Sequence, residues 1–73
     1  MAATPFGRFL RKLRIDNDEL LGNMADKLGI SSAYLSAVEN GKKNVTGGLV
    51  ESVVREYGLG SHQAQKLRLD ADH

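Results

Sequence analysis

The sequence predicts an all-α fold, a compact set of five short helices, and three observations carry that prediction. Apolar residues recur at helical and not at alternating spacing, and glycines and capping residues interrupt them at intervals of one short helix. The stretch from Met24 to Gly41, MADKLGISSAYLSAVENG, joins two such periodicities across a single glycine, Gly29. Two helices that short cannot stand alone, so the remaining segments must pack around them.

The first helix is expected over about residues 5–16. Thr4 is a good N-cap and Pro5 suits a first helical turn, after which Phe6, Phe9, Leu10 and Leu13 repeat at helical spacing. Arg8, Arg11, Lys12 and Arg14 gather on its other face, either as a solvated surface or as groups reaching for phosphate. Asn17 and Asp18 mark a break, and Asp18 or its neighbour is expected to cap a second helix over about 19–28. Leu21, Met24, Ala25 and Leu28 stand at i, i+3, i+4 and i+7 on one face of it. Gly22, inside that helix, costs about 1 kcal/mol relative to alanine; it marks either a close approach or an unoptimised surface.

Gly29 then supplies the positive φ on which helices commonly end. Ile30 plugs the turn, Ser31 caps a third helix over about 32–40, and Leu35 and Val38 continue the buried stripe. Ala25 is small enough for the two helices to cross closely. Gly41 repeats the stop. Lys42, Lys43, Asn44 and Val45 form a polar connection to a fourth helix, about 47–57, which Thr46 caps and whose core stripe is Val50, Val53, Val54 and Tyr57. Gly58 and Gly60 bracket Leu59 as a turn. Ser61 is expected to cap a fifth helix through about Leu69 with a thin apolar face of Ala64 and Leu67, leaving a frayed tail from Asp70 to His73.

Composition bounds the function classes. Seventy-three residues, 1–73, make one small domain that buries only about 60% of its unfolded surface. Dimerisation is a plausible further source of stability. There is no cysteine, which removes disulfides, thiolate chemistry and Cys-based zinc sites together. No segment has the apolar length to span a bilayer, and Arg8, Arg11, Lys12 and Arg14 break up the N-terminus where a secretory signal would be apolar; a cytoplasmic protein is the expectation. Net charge is +1, unevenly spread: residues 1–43 carry seven basic and five acidic side chains, residues 44–73 three and four. An enzyme lacks parts. His62 and His73 are the only histidines, no phosphate-cradling glycine loop follows a strand, and neither a cofactor nor a metal is expected.

On Leu13, Arg14, Met24, Ala25, Leu28, Gly29, Ile30, Ser31, Leu35, Ser36, Val38, Glu39, Asn40, Gly41 and Lys42, the chain resembles the Xre, or lambda Cro and repressor-like, helix-turn-helix family. The resemblance covers roughly Phe6 to Leu59 and is most specific from Met24 to Lys42. It implies a lambda-repressor-like domain in which the second helix of the motif enters the major groove of double-stranded DNA. Ser32, Ala33, Ser36 and Ala37 then become the base-contacting candidates, and Arg14, Asn23, Tyr34, Asn40, Lys42 and Lys43 the backbone-contacting ones. Tyr34 has two readings, stacking on the sugar-phosphate edge or lying back against helix two. Glu39, which would repel phosphate, is expected to pair with a basic group or the backbone of helix one or two.

The chain departs from its relatives at Leu20 and Leu21, where many carry Ser or Thr followed by a glutamine that touches the DNA backbone. Leu21 cannot donate, so that contact is either absent or supplied by another group, such as the backbone or Asn23. The reading residues are also small: a serine or alanine lacks the bidentate bonds worth about 1–3 kcal/mol of discrimination. The resemblance therefore implies a small regulator, most readily a repressor, acting as a homodimer on a palindromic operator. Ala64, Leu67 and Leu69 are the candidate dimer surface, against ordinary packing onto helix four or one. The rival reading is a protein-interaction module of the same fold, an antitoxin or antirepressor contacting a toxin or polymerase, though a tail ending at His73 leaves little room for a toxin-binding segment.

Overall fold

Local capping chemistry sets where the first four helices of this computed structural model begin, and the structure describes residues 4–71. In α1 (Pro5–Asp16) the Thr4 hydroxyl accepts from the Gly7 N–H at 3.0 Å, with Pro5 in the first turn. In α3 (Ser32–Glu39) the Ser31 hydroxyl accepts from Tyr34 N–H at 3.0 Å, and in α4 (Gly47–Glu56) Thr46 accepts from Leu49 N–H at 3.1 Å. Each bond satisfies a donor that the first turn of a helix leaves without an internal partner.

The second helix starts later than the sequence suggests. Asp18 does not cap it but sits in the preceding turn at φ 53°, and α2 (Leu21–Leu28) has Leu20 at its N-cap, held because the Asn23 side-chain oxygen accepts from the Leu20 N–H at 3.0 Å. Leucine has no oxygen to cap with, so Asn23 supplies that bond from inside the helix. The fifth helix is the other correction. Ser61 is the first residue of α5 (Ser61–Ala71) and not its cap, and the helix runs past Leu69: Asp70 pairs with Lys66 at 3.4 Å and Ala71 packs on the core. The fraying expected from Asp70 does not begin there; Asp72 and His73 lie outside the described residues.

Among the described residues all regular structure is helical, and the helices enclose one core of Phe6, Leu10, Met24, Ala25, Leu28, Leu35, Val38, Leu49, Val50, Val53 and Leu67. α2 packs on α3 and α4, and α1 bridges α3 and α5. Gly29 ends α2 at φ 72°, and Ile30 N–H bonds back to the Ala25 carbonyl at 3.0 Å, so the turn between α2 and α3 is pinned by the backbone itself. The close approach that the sequence suggested for Gly22 occurs instead at Gly7. A Cβ there would overlap the Glu39 carbonyl oxygen and stand 2.8 Å from the Glu39 Cα, whereas one on Gly22 would meet only Ser32 Oγ at 3.8 Å.

A second polar joint ties the α1–α2 turn to α4. Tyr57 donates its hydroxyl to Glu19 at 2.6 Å, Lys27 bonds the other Glu19 oxygen at 2.6 Å, and the Lys27 ammonium lies 4.9 Å from the Tyr57 ring centroid. The hydrogen bond from Lys27, then that from Tyr57, holds the Glu19 carboxyl below its ordinary pKa; burial, then the bond to Glu19, pushes the Tyr57 hydroxyl up, so it stays a donor.

Two outcomes follow for stability. Gly7→Ala costs about 1–3 kcal/mol through overpacking against a backbone that cannot yield, while Gly22→Ala gains about 1 kcal/mol in helix propensity; urea unfolding of both variants measures the contrast. Because the folded Glu19 carboxyl binds its proton less readily than the unfolded one, its contribution is present above pH 4.5 and is lost as the pH falls through the lower folded value. Glu19→Gln removes that part of the acid dependence, read as urea midpoints on either side of pH 4.5.

Candidate functional site

α3 projects its first turn into solvent, and the reason lies at its other end. Glu39, its last residue, is 2% exposed, although an ionised carboxylate is among the groups least often buried. Arg14 of α1, itself only 12% exposed, forks onto both of its oxygens: one guanidinium nitrogen meets Oε2 and the other bonds Oε1 at 3.0 Å. Arg11 adds a longer contact to Oε1 at 3.4 Å. The backbone closes the same joint, since Thr4 N–H donates to the Glu39 carbonyl at 3.1 Å and the Thr4 hydroxyl reaches it at 3.3 Å. Charge, backbone bonds and the missing Cβ of Gly7 thus clamp the C-terminal end of α3 against α1.

With that end fixed, the opposite end is bare. Ser31, Ser32 and Ala33 are exposed and Ser36 and Ala37 half-buried, so the four expected reading residues lie along α3 with their exposure rising toward its N-terminus. Asn23 is exposed at the start of α2; its oxygen is occupied by Leu20 N–H, which leaves its amide hydrogens to donate. Gly22 faces Ser32 across the gap between the two helices and adds no bulk to it.

Beyond α3 the chain is held by the helix it has just left. Gly41 adopts φ 77°, and the N–H groups of Lys42 and Lys43 both bond the Ala37 carbonyl, at 2.8 and 3.3 Å. That fold-back presents both lysines as exposed cations beside the end of α3, without an ion-pair partner among the described residues. Tyr34 is half-buried and packed on the core, and its hydroxyl donates to the Asn44 carbonyl at 3.4 Å, so it braces the same loop. Asn40 is likewise engaged: its amide donates to the Ser36 carbonyl at 3.0 Å and its oxygen accepts from Arg11 at 3.3 Å.

Two groups of expected residues are placed differently. Arg14, expected at a phosphate, has its guanidinium spent on Glu39 inside the domain, because a buried carboxylate demands the nearest fork-shaped donor. It is the partner that Glu39 was expected to find on helix one or two. Ala64 and Leu67, expected at a dimer surface, are 4% and 0% exposed in the chain's own core; only Leu69, at 59%, faces outward. Sequence reasoning missed Arg11 and Gly7 as parts of the joint. Gly7 had a signal, a glycine inside a helix three residues past its cap, but nothing in the sequence says which carbonyl it faces.

Among the described residues no group of three or more His, Cys, Asp or Glu is positioned to hold a metal ion, and no helix is long and apolar enough to cross a membrane. His62 is exposed on α5.

The Glu39 joint can be weighed directly. Glu39→Leu strands the Arg14 charge in a largely dry site and Arg14→Met strands the Glu39 carboxylate, each costing about 3–5 kcal/mol, whereas the double variant Arg14→Met with Glu39→Leu, which removes both charges, costs clearly less than either single change. Chemical unfolding of the three variants completes the cycle.

A family model for a helix-turn-helix domain matches residues 5–67 of the chain. No curated protein and no solved structure matches the chain.

Proposed function

The chain belongs to the helix-turn-helix domain family, and we propose on that ground that it is a small DNA-binding transcriptional regulator of the Xre, or lambda Cro and repressor-like, kind. It acts in the cytoplasm as a repressor, as a dimer on a palindromic operator. The observation that carries the reading is the asymmetry of α3, locked at Glu39 and open at Ser32 and Ala33, with two exposed lysines, without an ion-pair partner among the described residues, folded back beside it. A recognition helix needs that arrangement: its N-terminal residues approach base edges in the major groove while flanking groups grip phosphates.

Each residue then has a role. Ser32 and Ser36 offer hydroxyls to base edges, Ala33 and Ala37 offer methyl groups to thymine, Lys42 and Lys43 neutralise phosphates, and Asn23 donates to the backbone from the start of α2. Tyr34 and Asn40 lie at the same backbone edge and also hold the loop and helix end in place. With no long polar reader on α3, sequence discrimination rests on backbone contacts, dimer geometry and DNA shape more than on direct hydrogen bonds.

Selection from a random pool of duplex DNA, followed by mobility shifts on the selected sites, tests the proposal. Binding weakens steeply with salt, by about 0.9 logarithmic units per phosphate neutralised. Lys42→Ala with Lys43→Ala makes the slope for a dimer shallower by roughly 3 to 4 units and lowers affinity on all sequences alike, while Ser32→Ala changes affinity with a shift in preferred sequence and little change in slope. No binding at any salt, or a slope indifferent to the lysines, overturns the assignment.

A further inference from the structure

We infer that the groove between α1 and α5 is the surface on which a second copy of this chain docks, the two α1 helices running antiparallel about a two-fold axis. The groove has a volume of about 420 Å³ and is lined by residues of α1 and α5 alone, none of them assigned to DNA. Phe9 and Leu13, half-buried, give it an apolar floor, and Arg8, Lys12 and Asp16 form the α1 rim. Those three stand at i, i+4 and i+8 and share one face of the helix. None has an ion-pair partner among the described residues, whereas Lys66 across the groove is paired with Asp70 at 3.4 Å.

The order of charge along that rim selects the occupant. It reads positive, positive, negative from the N-terminus of α1, so a parallel copy would set like charges opposite one another. A two-fold axis crossing the C-terminal half of α1 reverses one copy against the other: the cations of each face Asp16 of its partner, and every such contact occurs twice. Ile15, 75% exposed, stands two turns from Arg8 in the same row and brings an apolar side chain to this face. The inference deepens the dimeric part of the proposed function and names its surface on α1, where Ala64 and Leu67 of α5 are already consumed by the core.

Sedimentation equilibrium without DNA tests it, so a failure here is distinct from a failure to bind an operator. The wild-type chain is expected to associate reversibly, up to millimolar concentration, and the more weakly as salt rises. Arg8→Glu with Lys12→Glu yields a monomer, as does Asp16→Lys, with unchanged far-ultraviolet circular dichroism in each. Mixing these two variants restores association, because one rim is then wholly acidic and the other wholly basic. Combining all three changes in one chain also restores it, with the charge order inverted. A wild type that remains monomeric at millimolar concentration leaves the groove to a different molecule and overturns the inference; so does a double variant that associates like the wild type, or a mixture that stays apart.

Discussion

One buried carboxylate organises this domain. Glu39 sits at the seam between α1 and α3 with almost no contact with water, and the cost of removing its charge from solvent is recovered only because Arg14 presents a fork to both oxygens. The main chain arrives at the same place, through Thr4 and through the Cβ-free approach of Gly7. A hydrophobic core alone resists separation without dictating an angle. A fork on a carboxylate dictates one, and the direction of α3 relative to α1 is thereby set at its C-terminal end, a helix-length from Ser32 and Ala33.

The rest of the chain distributes its polar bonds by the same logic. Glu19, Lys27 and Tyr57 join the α1–α2 turn to α4, and Asn23 caps a helix whose own N-cap residue is a leucine. Tyr34 and the Ala37 carbonyl hold the loop that carries Lys42 and Lys43. The bonds of Asn23, of Tyr34 and of the Ala37 carbonyl hold backbone segments that adjoin α3 without covering its exposed first turn. In so small a domain, with modest apolar burial available, such joints give orientation that the core cannot.

Much of the fold was legible in the sequence for reasons tied to particular residues. Thr4, Ser31 and Thr46 announce helix starts because their short oxygens satisfy N–H groups close by in the chain, and Gly29 announces a stop because its φ is local too. Where the determinant was distant, the sequence was mute. Asp18 looks like a cap, yet Glu19 beside it is drawn off to Lys27 and Tyr57, and α2 starts only at Leu21. Arg14 looks like a phosphate ligand until its neighbour in space is known to be buried Glu39. Ala64 and Leu67 make too thin a stripe to announce a core, and only the packing of α5 on α1 and α4 shows that they complete one. The exposed first turn of α3 was legible through the Ser31 cap and the spacing of Leu35 and Val38, and so was the need of Glu39 for a basic partner on a neighbouring helix, while the identity of that partner and the approach of Gly7 were not.

The bare first turn of α3 has an evolutionary consequence. Ser32 and Ala33 project outward and have no side-chain partner in the described structure, so exchanging them disturbs neither packing nor a polar joint. Gly7, Arg14 and Glu39 have no such freedom, since each change at one demands a compensating change at another. On the roles proposed for these residues, lineages descending from this chain can drift in the DNA they prefer by single substitutions at the exposed turn while the frame beneath stays constant.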